Sequence, residues 1–220
     1  MKRTLSLLLV ILSVRAFACG GYADPYPEWS IGVIGAGNYS MPASGFHPYF
    51  LPGIQFTHTN GGAWTQRGAI EYTKYTIVPV EDSPGSADLM FVGGTEKRTL
   101  IRAGVEHGWF ICPLFRPYVA LDLAGQSYKS NITYEGGLMG RNDREEISTK
   151  GIGLLPAIGF KTDIGKRISV FAEYRAEAFV NNTETKVTYY NGNIDSRPTD
   201  GTNFDFRAGA IAHLGVQVMF

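Results

Sequence analysis

Cysteine is almost missing from this chain: there are 2 in 220 residues, Cys19 and Cys112, and they do not form a paired metal-type spacing. That excludes a zinc framework and a disulfide-dense scaffold. Net charge is missing as well, with 20 basic residues against 20 acidic ones. Nothing in that balance marks a nucleic-acid partner. Beyond residue 18 no apolar run approaches the roughly 20 residues that a membrane helix takes. Histidine is scarce, at 4, and none stands in a recognisable serine-containing catalytic motif. Ser40 and Ser44 near His47 are the nearest approach to a nucleophile with a base, but any polar loop offers such company. The reading is therefore non-enzymatic, with no catalytic, cofactor-binding or metal-binding residues and no cofactor.

What is present begins with a leader. "MKR" is a short basic start, "TLSLLLVILSV" an apolar run of about eleven residues, and "AFA" at 16–18 a small-x-small cleavage pattern. This is the anatomy of a secretory signal peptide, too short for a lasting span. Residues 1–18 are read as that signal, 19–28 as an N-terminal segment and 29–220 as one large domain. Cleavage after Ala18 leaves Cys19 first, which invites lipid attachment. Phe17 is bulky for a lipid-attachment box, and Ala16 stands where leucine is usual.

The domain is rich in glycine (27) and in aromatics, with 12 Tyr, 13 Phe and 3 Trp. "IGVIGAGNYS" (31–40) superficially matches a dinucleotide fingerprint, but Ser40 stands where a third Gly or Ala belongs. The following "MPASGFHPYF" carries two prolines and cannot open the required helix. A strand is the better reading.

Period two decides the fold class. In "ISVFAEYRAEAFV" (168–180) the even positions are all apolar, while the odd ones carry Glu173, Arg175 and Glu177. Successive side chains of a strand point to opposite faces, so one face is apolar and the other charged. The pattern recurs at 95–107, 118–128 and 203–220, and more weakly at 29–38, 50–59, 63–79 and 149–163. That makes eight strands. Their connections alternate long and short: loops around 39–49, 80–94, 135–148 and 190–203 are long, while 60–62, 109–115 and 163–166 are tight. Long strands, an even count and alternating loops predict an all-β fold, a closed antiparallel eight-stranded up-and-down transmembrane β-barrel. Closure satisfies every backbone group and leaves no edge.

In such a barrel the parity turns Arg67, Glu71, Glu96, Arg98, Arg102, Glu106, Asp122, Glu173, Arg175, Glu177, Asp205 and Arg207 inward. An eight-stranded interior has room for little beyond its own side chains, so these charges must pair. Arg102 with Asp122, and Arg207 with Glu173 or Glu177, are the expected cross-strand pairs. Trp29, Trp64 and Trp109 fall at one end as an interface girdle, with Tyr39, Tyr75, Tyr128, Tyr134, Tyr189 and Tyr190 at the other.

The chain closes on "HLGVQVMF", in which Val216, Val218 and Phe220 alternate with polar or small residues. An ending of this kind resembles the assembly signal of outer-membrane barrels. Over about residues 29–220 the pattern resembles the eight-stranded outer-membrane families of the OmpA transmembrane domain and OmpX type. No peptidoglycan-binding domain follows, so the likeness to OmpA is to its barrel alone. The resemblance implies a bacterial outer-membrane location and places the tryptophans and both termini on the periplasmic side. Outer-membrane lipids, lipopolysaccharide and the barrel assembly machinery are the implied partners. The implied role is structural, or surface contact through the long extracellular loops. A lipid-modifying enzyme or a narrow channel on the same barrel is the alternative. Cys19 lies at most about 33 Å of chain from Trp29, close enough to reach Cys112, and the periplasm permits a disulfide between them.

Overall fold

The computed structural model describes residues 29–38, 49–59, 63–77, 89–109, 115–136, 141–165, 167–198 and 202–220. The leader, Cys19 and Cys112 lie outside these residues, as do Ser40, Ser44 and His47. Among the described residues nine strands follow one another. They are β1 (Trp29–Asn38), β2 (Tyr49–Thr59), β3 (Trp64–Ile77), β4 (Leu89–Gly108), β5 (Arg116–Gly136), β6 (Arg141–Ile164), β7 (Ile168–Thr188), β8 (Ile194–Pro198) and β9 (Asn203–Met219).

Eight of them close a ring. Each strand from β1 to β7 pairs antiparallel with the next, β7 pairs with β9, and β9 returns to β1. The seam is sealed at its end by Phe220 N–H donating to Trp29 O at 2.9 Å, with Trp29 N–H returning to Phe220 O at 3.3 Å. β8 is not part of the ring; among the described residues it pairs only with the far end of β7, Glu184–Thr188. The tight turn between β6 and β7 uses Gly165 at φ +74°, a left-handed conformation that glycine adopts without a Cβ penalty.

Polarity along the strands is inverted relative to a water-soluble protein. On β5, Asp122 is 0% exposed while its neighbours Leu121 and Leu123 are 49% and 64% exposed. On β7 every odd residue from Ser169 to Asn181 is buried, charged ones included, and Ile168, Tyr174 and Val180 face out. Apolar side chains cover the outer wall at Ile70 and Tyr72 on β3, with Trp64 at its end, and from Ile152 to Phe160 on β6. An outer face of this kind is at rest only against lipid.

The strands β4 to β7 run 20, 21, 24 and 21 residues. Crossing the hydrocarbon takes roughly 9–11. The surplus stands beyond the apolar belt at the distal end, away from Trp29 and Phe220. This corrects the expected loop at 135–148: β5 continues to Gly136 and β6 starts at Arg141, pairing Glu135 with Asn142, and the expected loops at 80–94 and 190–203 likewise give way to strand at Leu89 and at Ile194–Pro198. Arg144, Glu145 and Glu146 are charged on both faces because both faces of this ribbon meet water. Period two in polarity disappears there although the strand does not.

Candidate functional site

The lumen holds the densest chemistry. β3 turns Arg67 and Glu71 inward on either side of Ala69, whose small side chain lets the longer ones cross. β4 contributes Arg98, Arg102 and Glu106, four residues apart on one face. β5 contributes Tyr118, Asp122 and Gln126, and β7 contributes Glu173, Arg175 and Glu177, with Phe171 and Phe179 filling the space below and above. Missing side chains opposite make room. A Cβ on Gly104 would collide with the Asp122 carboxylate, and one on Gly215 would collide with the Phe171 ring.

Arg67 lays a fork on Asp122, with Nε to Oδ1 and Nη2 to Oδ2 both at 2.7 Å, and donates from Nη1 to Glu173. Arg102 donates to Glu71 Oε1 at 3.0 Å, Asp122 Oδ2 at 2.6 Å and Gln55 Oε1 at 2.8 Å. Arg175 grips both oxygens of Glu71, at 2.9 and 3.1 Å, and its Nη2 lies 3.4 Å from Glu177 Oε1. Arg98 donates to Glu177 Oε2 at 2.8 Å and to Gln126 Oε1 at 3.0 Å. Gln126 passes the chain to Asn181 at 2.8 Å, and nearer the termini Lys161 donates to Glu106. Tyr118 Oη donates to Glu173 Oε2 at 3.0 Å. The cations Arg67, Arg98, Arg102, Lys161 and Arg175 thus meet the anions Glu71, Glu106, Asp122, Glu173 and Glu177, one for one.

The geometry of two of these contacts sets the lumen's character. In the ring, β3 and β7 lie four strands apart whichever way one counts, so they are opposite each other. Arg67 of β3 meets Glu173 of β7, and Arg175 of β7 meets Glu71 of β3. These two reciprocal pairs span the full diameter. Parity alone identifies which charges point inward; it does not say that partners lie across the barrel rather than on adjacent strands. Lys161 and Gln55 join the network beyond the residues expected there, although both have inward parity.

Of the other charges expected in the lumen, Glu96 and Asp205 are half-buried on the inner parity. The backbone of Arg207 stands opposite Glu177, across a register shift between Arg175 and Glu177. The side chain of Arg207 lies outside the described residues. Glu177 takes its hydrogen bonds from Arg98 and Arg175, and Glu173 takes its own from Arg67 and Tyr118.

At the end where Trp29 meets Phe220, Trp29, Trp64 and Trp109 are all about half exposed on the outer wall. Trp29 packs on His58 with ring centroids 4.2 Å apart, and Trp64 on His107 at 4.6 Å, with Trp109 edge-on to His107 at 5.0 Å. Those histidines are therefore ring partners of the tryptophans. His213 is fully buried in the lumen, opposite Glu173 in register. Among the described residues no group of three or more His, Cys, Asp or Glu is placed to hold a metal ion.

A closed ring of eight strands, apolar outside and charged inside, defines a membrane-spanning β-barrel of the outer-membrane type. Solved structures agree on the fold. The chain is similar to a major outer membrane protein from Thermus thermophilus, with 11% sequence identity, 87% of this chain and 99% of that one covered, and a TM-score of 0.55. Two further likenesses are weaker. Neisserial surface protein A is 17% identical, with 90% and 100% of the two chains covered and a TM-score of 0.48. Ail, the attachment invasion locus protein of Yersinia pestis, solved in complex with the heparin analogue sucrose octasulfate, is 13% identical, with 87% and 96% covered and a TM-score of 0.42. No protein-family model matches the sequence, and no curated protein does.

Proposed function

We propose that this chain is an integral barrel of a bacterial outer membrane whose lumen is sealed, and which acts without catalysis through the strands that stand clear of the lipid. The pair of diametric bridges between β3 and β7 carries the reading. Charges held across the full width of the barrel by planar guanidinium forks leave no continuous path for water or solute. A sealed lumen removes transport, and the tall distal ribbon of β4 to β8 then becomes the part exposed for surface contact or envelope stabilisation.

In this orientation the termini and the Trp29, Trp64 and Trp109 girdle face the periplasm, and the ribbon faces outward. Val216, Val218 and Phe220 on the closing strand are the segment the barrel assembly machinery would engage. Residues 29–220 act as one domain in this reading.

Single-channel recording of the refolded protein in planar bilayers tests it. The expected record is flat, with no unitary steps above the bare bilayer. Steady, ion-selective steps from the wild type would overturn the seal and pass the function to a narrow channel.

A further inference from the structure

The outer wall carries a row of lysines that ordinary sheet energetics disfavours. Lys74 on β3 is the direct cross-strand partner of Lys97 on β4, and Lys97 is the direct partner of Lys129 on β5. All are exposed and share the outward parity of Ile70, Ile101 and Gly125, four residues nearer the apolar belt on the same strands. With neighbouring strands about 4.8 Å apart, three ammonium stems stand side by side over about 10 Å. Like charges placed directly opposite destabilise a sheet. None of the three forms an ion pair with a described residue, and the acid diagonal to Lys129, Glu146, is bridged to Arg144 at 3.1 Å.

A second observation lies directly below. Ile101, Gly125, Ile152 and Val180 are consecutive cross-strand partners around the outer wall. Gly125 interrupts this apolar row: a Cβ there would have nothing within 4 Å. The notch belongs to a groove of about 490 Å³, floored by those residues and rimmed by Ser127 and Lys150. One strip of wall thus offers an apolar slot at the edge of the belt and, a few residues beyond, a cluster of cations.

We infer that this strip holds one phosphorylated, multi-acyl lipid of the distal leaflet, an acyl chain lying over Gly125 and the headgroup phosphates on Lys74, Lys97, Lys129 and Lys150. The inference rests on reading the chain as a membrane barrel. Charge complementarity selects the occupant: a second copy of the chain would bring the same lysines against themselves. An uncharged lipid would leave their repulsion in place. Lysine, with its flexible stem, suits a headgroup at the belt's edge because it buries its methylenes while the ammonium stays wet.

The test uses the refolded full barrel in detergent micelles, titrated with bisphosphorylated lipid A and with its dephosphorylated form, and read by native mass spectrometry. Wild type is expected to retain the phosphorylated lipid selectively. The triple variant Lys74→Gln, Lys97→Gln, Lys129→Gln should bind it about a hundredfold more weakly, taking about a fivefold loss for each lysine near an anionic surface. Gly125→Leu should weaken binding of the acylated lipid while leaving the lysine row intact. Without lipid, the triple variant should unfold at the same or higher temperature than wild type, because the repulsion is gone; with lipid the order should reverse. Equal retention of both lipid forms by wild type overturns the site. So does unweakened binding by the triple variant, or a dimer cross-linked through Gly125→Cys. A protein that never inserts into bilayers would instead fail the barrel reading itself, which insertion and the unboiled gel shift report separately.

Discussion

Arg175 is fully buried, and its guanidinium is committed to Glu71 on the opposite wall. Removing one partner of such a pair leaves an uncompensated charge away from water. Arg175→Ala should therefore destabilise the barrel by about 3–5 kcal/mol, read as a shift in guanidinium unfolding in micelles. The double variant Arg175→Met, Glu71→Met should recover most of that loss; no recovery would mean that the pair is not the cause. On the outer face Leu121 is half exposed to lipid, and Leu121→Arg should cost about 2–4 kcal/mol at mid-belt. Gln126→Ala tests the inner face with a neutral side chain. It breaks hydrogen bonds with Arg98 and Asn181 and should cost about 1–2 kcal/mol. A cost at Gln126 as large as that at Leu121 would remove the distinction between lipid face and lumen face.

At the scale of elements, β8 and the ribbon beneath it differ from the ring. Among the described residues β8 pairs with Glu184–Thr188 of β7 and takes no part in closing the ring. Replacing 194–198 by a short Gly-Ser link should leave the heat-modifiable gel band and the unfolding midpoint unchanged, and a lost band would make β8 part of the fold. Within the ribbon, Tyr134 Oη donates to Glu145 Oε2 at 3.2 Å. Partial burial, and secondarily the Glu145 carboxylate, raise the Tyr134 pKa above its ordinary value. Because the folded value is raised, the contact's contribution is complete below the unfolded tyrosine pKa of about 10. It is lost as pH climbs through the folded value, when tyrosinate faces carboxylate. Ultraviolet titration of wild type minus Tyr134→Phe should give a midpoint above 10, and a midpoint at or below 10 would contradict it. The strands of the belt were legible in the sequence because lipid on one side and packed charge on the other write period two into them. Residues 135–148 were not, because water on both faces of a ribbon erases that alternation; Asn142 to Glu146 read as loop for this reason.

For the whole molecule, the ring could be anticipated from strand count and alternating loop length, since each antiparallel strand must return to the end it left. The wiring of the lumen could not be. Which arginine meets which carboxylate depends on the curvature and stagger of the closed sheet, so Arg102 with Asp122 is visible from neighbouring strands whereas Arg67 with Glu173 is not. The proposed orientation has its own test. Protease added to intact cells should cut within 39–48, 78–88 or 199–202, between the strands, and spare 60–62 and 163–166; cuts confined to the short turns would invert the topology.

The bridges between β3 and β7 also bear on how the barrel comes into being. Hairpins can form one after another along the chain, and each gains its backbone ladder locally. No hairpin, nor any open sheet, can join walls that face each other only after β9 meets β1. Until that moment the Arg67–Glu173 and Arg175–Glu71 bridges cannot form, although Glu71 can already meet Arg102 on the neighbouring strand. The opposing charges are therefore expected to act as a latch that engages last and favours the shut barrel over half-shut intermediates. A latch formed after the barrier should change how fast the barrel opens rather than how fast it forms. Arg175→Ala is thus expected to quicken unfolding while folding into vesicles keeps its wild-type rate, and slowed folding with unchanged unfolding would place the latch before the barrier.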